Sequence, residues 1–273
     1  MKTNFKQRMK AKSVVNIILS IIVAIVMVAR FLRADYYSVF LCVLTLLLFN
    51  IPFFVDKKMH VTLPKELEAI ILLFIFCAEI LGEIGSFYTH IPWWDTMLHT
   101  ANGFLMAAIG FALIDILNNS PKFHITMSPM FVAFVAFCFS MTVGVVWEFF
   151  EFAMDYFTLT DMQKDRMVTD ISSVLINPSG LNDTVIIRDI ASTTVTLADG
   201  STHVIDGGYL DIGIIDTMKD LFVNLIGAVV FSVIGFFYII GRNNGVFAKK
   251  FIPQLQEKEE KNEAEEKIET EVE

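Results

Sequence analysis

Ten residues in this chain have the types and spacing to do chemistry: Glu79 and Glu83, Asp95 and His99, Glu148, Glu151 and Asp155, and Asp216, Asp220 and Asn224. Within each set, neighbours stand three or four positions apart, so on a helix each set stacks along one face. Carboxylates with one imidazole form an oxygen-rich donor set. Such a set suits a divalent Mn, Fe, Zn or Mg better than Cu(I) or an iron–sulfur cluster. The E-x-x-E pair Glu148 and Glu151 and the D-x3-H pair Asp95 and His99 are the candidate first ligands. Asp216 and Asp220 can complete a mono- or dinuclear site, and Glu79, Glu83, Asp155 and Asn224 form a second tier. Beside a bound ion, His99 and Glu151 are the candidates for moving protons.

Plainer readings compete. Asp95 and Asp216 also fit as helix N-caps, where the macrodipole favours a negative charge by roughly 0.3–1 kcal/mol. That reading does not serve Glu79, Glu83, Glu148, Glu151 and Asp155, which fall toward the expected C-terminal ends of their helices. There the dipole opposes an acid, which needs a proton, a basic partner or a bound cation. Arg166, Arg188 and Lys219 are the cations available for a purely structural ion-pair network.

The elements that position these residues are apolar. The chain is 55% hydrophobic with 26 Phe, and its mean hydropathy is +0.59. Six runs approach the roughly 20 helical residues that cross a bilayer core: Ser13–Phe31, Tyr37–Val55, Leu67–Phe87, Asp95–Leu117, Pro129–Tyr156 and Ile214–Ile240. The expected fold is an all-α polytopic membrane protein with six transmembrane helices. No small-residue cleavage site follows the first run, so it reads as a helix that stays.

Cations set the expected orientation. Lys2, Lys6, Arg8, Lys10 and Lys12 precede the first run; Lys57, Lys58 and Lys65 follow the second; Lys122 follows the fourth; and Arg242, Lys249 and Lys250 follow the sixth. Six crossings put all of these on one side, so both termini are cytoplasmic and all four polar sets gather at the outer leaflet. Arg30 and Arg33 depart from the pattern and have Asp35 as an available partner. Ionisable side chains collected at one membrane depth point to a functional site. Trp93 and Trp94 fit an interfacial aromatic belt.

Three further segments complete the organisation: a basic N-terminus (1–12), an insert (157–213) between helices five and six, and an acidic cytoplasmic tail (242–273). The insert is β-rich at Thr184–Ile190, Thr193–Leu197 and Thr202–Ile205, with Asp199-Gly200 as a hairpin turn. A small extracytoplasmic cap of two or three strands is expected there. The chain's net charge is −9, and nine Glu and three Lys from Gln254 onward account for most of it. So acidic a segment is expected to be disordered or a frayed helix. Cys42, Cys77 and Cys138 all lie inside apolar runs, away from disulfide or thiolate–metal chemistry. No phosphate-binding loop, nucleophile elbow or H-E-x-x-H motif is present, and no feature suggests nucleic acid. The expected partners are membrane lipid and an envelope substrate or protein at the insert.

The segment Trp94-Asp-Thr-Met-Leu-His-Thr-Ala-Asn-Gly103 resembles the D-x3-H-x3-G signature of YjdF-like bacterial inner-membrane proteins. Trp147-Glu-Phe-Phe-Glu-Phe152 is similar to their second element, with Phe152 where Trp is usual. Asp211 to Asp220, running on to Gly227, resembles their third. VanZ-like proteins share a more distant pattern, whose last element would be Asp220, Asn224 and Gly227. The resemblance covers about Glu66 to Gly241. It implies the bacterial cytoplasmic membrane and these motif residues as a shared centre, and it supplies no reaction.

Three functions fit: a metal-dependent site acting on an envelope or lipid-linked substrate, a cation or proton transporter, and a structural or regulatory membrane module with a salt-bridged core. Inward of Asn224 the sixth run has only Ser232 as a polar residue. A through-path would continue the polar stripe, so this composition favours a one-sided site.

Overall fold

Long runs of Ile, Val, Leu and Phe without proline or charge sustain helices, and their ends are set by local caps. In the computed structural model, which describes residues 13–59, 61–118, 127–241 and 254–255, α1 (Val14–Phe31) is capped by Ser13, whose hydroxyl accepts from the Asn16 amide at 3.3 Å. Asp35 caps α2 (Tyr36–Leu48), accepting from the Ser38 amide at 3.1 Å and the Ser38 hydroxyl at 2.6 Å. These bonds, with the Arg30 guanidinium 3.3 Å away, hold its carboxyl below the usual value. After a short break α3 (Ile51–Met59) continues α2, and strand β1 (Val61–Thr62) follows.

Helix α4 (Lys65–Phe76) runs directly into a π-helical stretch, Cys77–Ile84. A short helix α5 (Phe87–His90) leads to α6 (Trp94–Asn118) and α7 (Pro129–Thr158). Strands β2 (Met167–Val168), β3 (Ile171–Ser173), β4 (Val185–Ile187), β5 (Ser192–Thr196), β6 (Thr202–Asp206) and β7 (Tyr209–Leu210) precede α8 (Ile214–Ile240). Strand β8 (Gln254–Leu255) pairs antiparallel with β1. The expected segment 1–12 and the rest of the tail beyond residue 241 lie outside the described residues.

Among the described residues, five helices are long and apolar enough to cross a membrane: Val14–Phe31, Tyr36–Val55, Trp94–Asp115, Pro129–Thr158 and Ile214–Ile240. The sixth expected crossing, Leu67–Phe87, is not among them. Its α-helical part has 12 residues, about 18 Å at 1.5 Å per residue, short of the roughly 30 Å hydrocarbon core. The π-helical remainder carries Glu79 and Glu83. Gly82 within it lies under the Tyr88 ring, where a Cβ would come within 2.8 Å of the ring's Cζ.

The chain divides into two compact units, Met1–Gly144 with Val223–Glu273, and Val145–Phe222. Both boundaries fall inside helices α7 and α8, which run through them unbroken. The first unit has two main apolar cores. Leu19, Val23, Leu41, Cys42, Leu72 and Ile75 join α1, α2 and α4. Ala107, Phe111, Val132, Ala136, Ala228 and Phe231 join α6, α7 and α8. Leu67 and Leu105 link α4 to α6.

The second unit holds three antiparallel strand pairs, β2 with β7, β3 with β4 and β5 with β6. The expected insert is therefore built as three two-stranded ribbons. The Asp199-Gly200 turn joins β5 to β6: Gly200 has φ +86°, and the Asp199 carboxylate accepts from the Ser201 amide and hydroxyl at 2.9 and 2.6 Å. The ribbon β3–β4 includes Val185–Ile187 from the expected first β-segment.

Candidate metal centre

Small residues let α6, α7 and α8 meet closely inside the first unit. A Cβ on Gly103 of α6 would collide with the backbone carbonyl of Asn224 on α8. One on Gly144 of α7 would stand 2.7 Å from the Asn224 amide nitrogen. One on Gly227 would collide with the Thr100 carbonyl. Without side chains at these points, backbones approach and polar groups reach across. Asn102 donates to Asn224 Oδ1 at 3.1 Å, and Ser140 donates to the Gly103 carbonyl at 2.7 Å. Asn224 is 1% exposed and is the pin of this crossing. Asn224 is thus spent on helix packing.

One turn from this crossing, α6 carries His99, four residues before Gly103. It is buried, and its Nε2 lies 3.5 Å from Asp95 Oδ1. The N-terminal turn of α6 is anchored by Trp94, which is also buried and packs edge-on against Phe87 with ring centroids 4.8 Å apart. Trp93 beside it is exposed, as a belt residue would be.

In the second unit, Glu148 follows Gly144 by one turn of α7 and Asp220 precedes Asn224 by one turn of α8. Glu148, Glu151 and Asp220 are all buried, at 4%, 8% and 2% exposure. The Trp147 indole N–H donates to Glu151 Oε1 at 2.8 Å. Gln163 Nε2 donates to Thr217 Oγ1 at 2.7 Å and lies 3.4 Å from Glu148 Oε2. Lys219 Nζ stands 3.4 Å from Asp220 and 3.6 Å from Asp216.

Three further acids of this unit, Asp155, Asp216 and Asp211, fasten the chain between α7 and β2. Asp155 accepts from the amides of Met162 and Gln163 at 2.7 and 2.8 Å and from the Thr160 hydroxyl at 2.8 Å. Asp216 accepts from the Lys164 amide at 3.0 Å and lies 3.5 Å from the Arg166 guanidinium. Asp211 accepts from the amides of Arg166, Gly213 and Ile215 at 2.7, 3.2 and 2.9 Å. Burial raises its carboxyl, and these amide bonds outweigh that and leave it below the ordinary value. Asp165 shifts the other way: burial first, then the charges of Asp161, Asp211 and Asp155, push its carboxyl up.

Glu79 and Glu83 stand elsewhere in the first unit, within electrostatic reach of Tyr37 on α2. Close by, Arg30 donates to the Ile84 carbonyl at 3.1 Å as well as pairing with Asp35. Among the described residues, the His, Asp and Glu groups that could hold a metal ion are Asp95, His99 and Asp220, and His99, Glu148 and Glu151. Asp216 falls outside both groups. The sequence reading missed the hydrogen-bond partners Trp147, Gln163, Thr217 and Asn102. Trp147 had a signal, standing four residues before Glu151. Gln163 had none, because its neighbours come from the path of the loop.

Several apolar helices of membrane-crossing length, with a buried imidazole in the first unit and buried carboxylates in the second, mark a multi-pass membrane protein. The chain belongs to the family described as predicted membrane protein (DUF2238), whose match covers residues 14–241. This is the YjdF family, in keeping with the motif resemblance; the likeness to VanZ-like proteins rests on the motif residues alone. An uncharacterized protein of Thermotoga maritima is 26% identical over 104 residues, covering 38% of this chain. The chain spans about half of that relative, 52% of its length. No solved structure matches the chain.

Proposed function

We propose that this protein binds one divalent transition-metal ion through His99, Glu148 and Glu151, with Asp95 and Asp220 completing the donor set. The ion would serve chemistry on an envelope or lipid-linked substrate at the outer leaflet. The supporting observation is the Asn224 crossing, where α6, α7 and α8 approach at Gly103, Asn224 and Gly144. His99, Asp220 and Glu148 each lie one turn from those points on helices without a break. An imidazole among carboxylates favours Mn, Fe or Zn over Mg. A bound ion of this kind polarises a phosphoryl or carbonyl oxygen or lowers the pKa of a coordinated water.

The opposite direction along the same helices supports a site over a conduit. Ala107, Ala108, Phe111, Ala136, Ala228 and Phe231 form a fully buried apolar plug in the first unit. Phe104 and Phe231 meet edge-to-face at 5.0 Å. An outward-facing site with both termini cytoplasmic requires Leu67–Phe87 to cross as a sixth span beside the five helices of membrane-crossing length; the distribution of Lys and Arg supports that arrangement.

Titration of the detergent-purified protein with Mn²⁺, followed by electron paramagnetic resonance, tests the reading. One equivalent should bind in the wild type, and His99→Ala should abolish that saturable phase. Equal binding by wild type and His99→Ala would remove His99 from the site and with it the reading.

A further inference from the structure

We infer that Trp147 and Gln163 are positioning residues that orient the two glutamates of the E-x-x-E pair toward a divalent ion. This inference rests on the metal reading above. An indole N–H can only donate, so Trp147, one turn before Glu151, ties one carboxylate oxygen at 2.8 Å and restricts rotation of that group. The Trp147 side chain is not core filling: the residue is 45% exposed, and its ring lies against Phe150 with centroids 5.3 Å apart. Its polar atom is the part turned to the site.

Gln163 serves Glu148 in a parallel way. Its amide nitrogen has two hydrogens; one bonds Thr217 Oγ1 at 2.7 Å, and the other is shared by Glu148 Oε2 and the Glu148 backbone carbonyl, each 3.4 Å from the nitrogen. Gln163 is in turn fixed from both sides. Its backbone amide donates to Asp155 at 2.8 Å, and Gly213, at φ +76°, leaves room that a Cβ would close to 2.7 Å from Gln163 Cβ.

An amide and an indole are neutral donors: each orients the carboxylate oxygen it meets and brings no charge of its own. A guanidinium or ammonium, as at Asp216, supplies the counter-charge itself. Neutral outer partners of this kind orient metal ligands in general, and their loss typically weakens metal affinity by about 10–100-fold.

The test uses the full chain in detergent and Mn²⁺ as the probe. Trp147→Phe keeps an aromatic ring and loses the N–H; Gln163→Leu keeps the approximate volume and loses the donor. Each should weaken Mn²⁺ binding by about tenfold or more. Phe150→Leu, which disturbs the same ring contact without touching a hydrogen bond, should stay within about twofold of wild type, well below the outer-partner range. A spectroscopic readout separates orientation from packing. The chain has three Trp, so in a Trp93→Phe, Trp94→Phe background Trp147 reports alone. Its fluorescence should be quenched by Mn²⁺ at the concentrations that fill the site.

If the wild type binds Mn²⁺ while Trp147→Phe and Gln163→Leu bind it equally well, the positioning inference is overturned and the metal reading stands. Silent Trp147 fluorescence during saturable binding overturns it likewise. If the wild type takes up neither Mn²⁺, Co²⁺ nor Zn²⁺, the metal reading fails first.

Discussion

Asp216 and Asp220 are one turn apart on α8, both are buried, and their surroundings differ. Asp216 lies against Arg166 and Lys219 and accepts a backbone amide from Lys164. Asp220 shares Lys219 and also belongs to a group with Asp95 and His99 that could hold a metal. The same contrast runs along α7. Asp155 is consumed by the amides of Met162 and Gln163, whereas Glu148 and Glu151 are approached by an amide and an indole. Burial alone therefore does not mark an acid as a ligand. Asp155 and Asp216 meet backbone amides of the 162–164 segment, and Asp216 a guanidinium as well, which answer the demand of a carboxylate removed from water.

The neighbours on α8 give the largest expected effect. Asp220→Asn should weaken Mn²⁺ binding by more than the roughly tenfold expected for an outer partner, and Asp216→Asn should leave it nearly unchanged. Equal losses in the two variants would erase the distinction between them.

Next in size is the crossing that brings the three helices together. Gly103→Ala forces a methyl group into the Asn224 carbonyl, where only backbone movement can relieve the clash. Overpacking of this kind costs about 1–3 kcal/mol. Thermal unfolding in detergent should show a lower midpoint together with weaker metal binding. Gly180→Ala is the comparison, since no atom lies within 4 Å of a Cβ there. Its cost should come only from its φ of +67°.

Asp216→Asn sharpens the structural side of the comparison. It should lower the thermal midpoint and speed hydrogen exchange in residues 160–166 while metal stoichiometry stays at the wild-type value. Exchange unchanged from wild type would show that the ion pairs and the Lys164 bond do not hold that segment.

The smallest effect concerns pH. The Asp211 carboxyl is held below its ordinary value of 3.8 by three backbone amides. A depressed folded-state pKa contributes stability that is fully present above the ordinary value and is lost as pH falls through the folded one. Limited proteolysis between residues 160 and 168 should therefore accelerate below about pH 4, given that ordinary carboxylate range. Asp211→Asn should be cut faster at neutral pH and show a shallower acid response. An unchanged acid response in that variant would assign the transition to another group.

Much of this was legible in the sequence, for reasons that remain local. Hydropathy marks the helices that cross, spacing of three and four puts Asp95 and His99 or Glu148 and Glu151 on one face, and Asp199-Gly200 announces its turn. The π-helical stretch Cys77–Ile84 was not legible, because five-residue hydrogen bonding leaves no periodic signature in eight residues. Nor was the pairing of β2 with β7, whose partners are about forty positions apart in sequence. The fates of Asp155 and Asp216 were hidden for a related reason. A carboxylate has the same formula whether it staples a loop or awaits a cation, and the path of residues 160–166 decides between them.

The most direct measurement is the metal content of the purified protein, by mass spectrometry, for the wild type against Glu148→Gln with Glu151→Gln. Those substitutions keep size and hydrogen-bonding capacity and remove two charges. The account predicts about one equivalent of a divalent transition metal in the wild type, from the single-ion site built on His99, and none in the variant at the same thermal midpoint. Metal at equal occupancy in both, or in neither after exposure to Mn²⁺, Fe²⁺ and Zn²⁺, would contradict it.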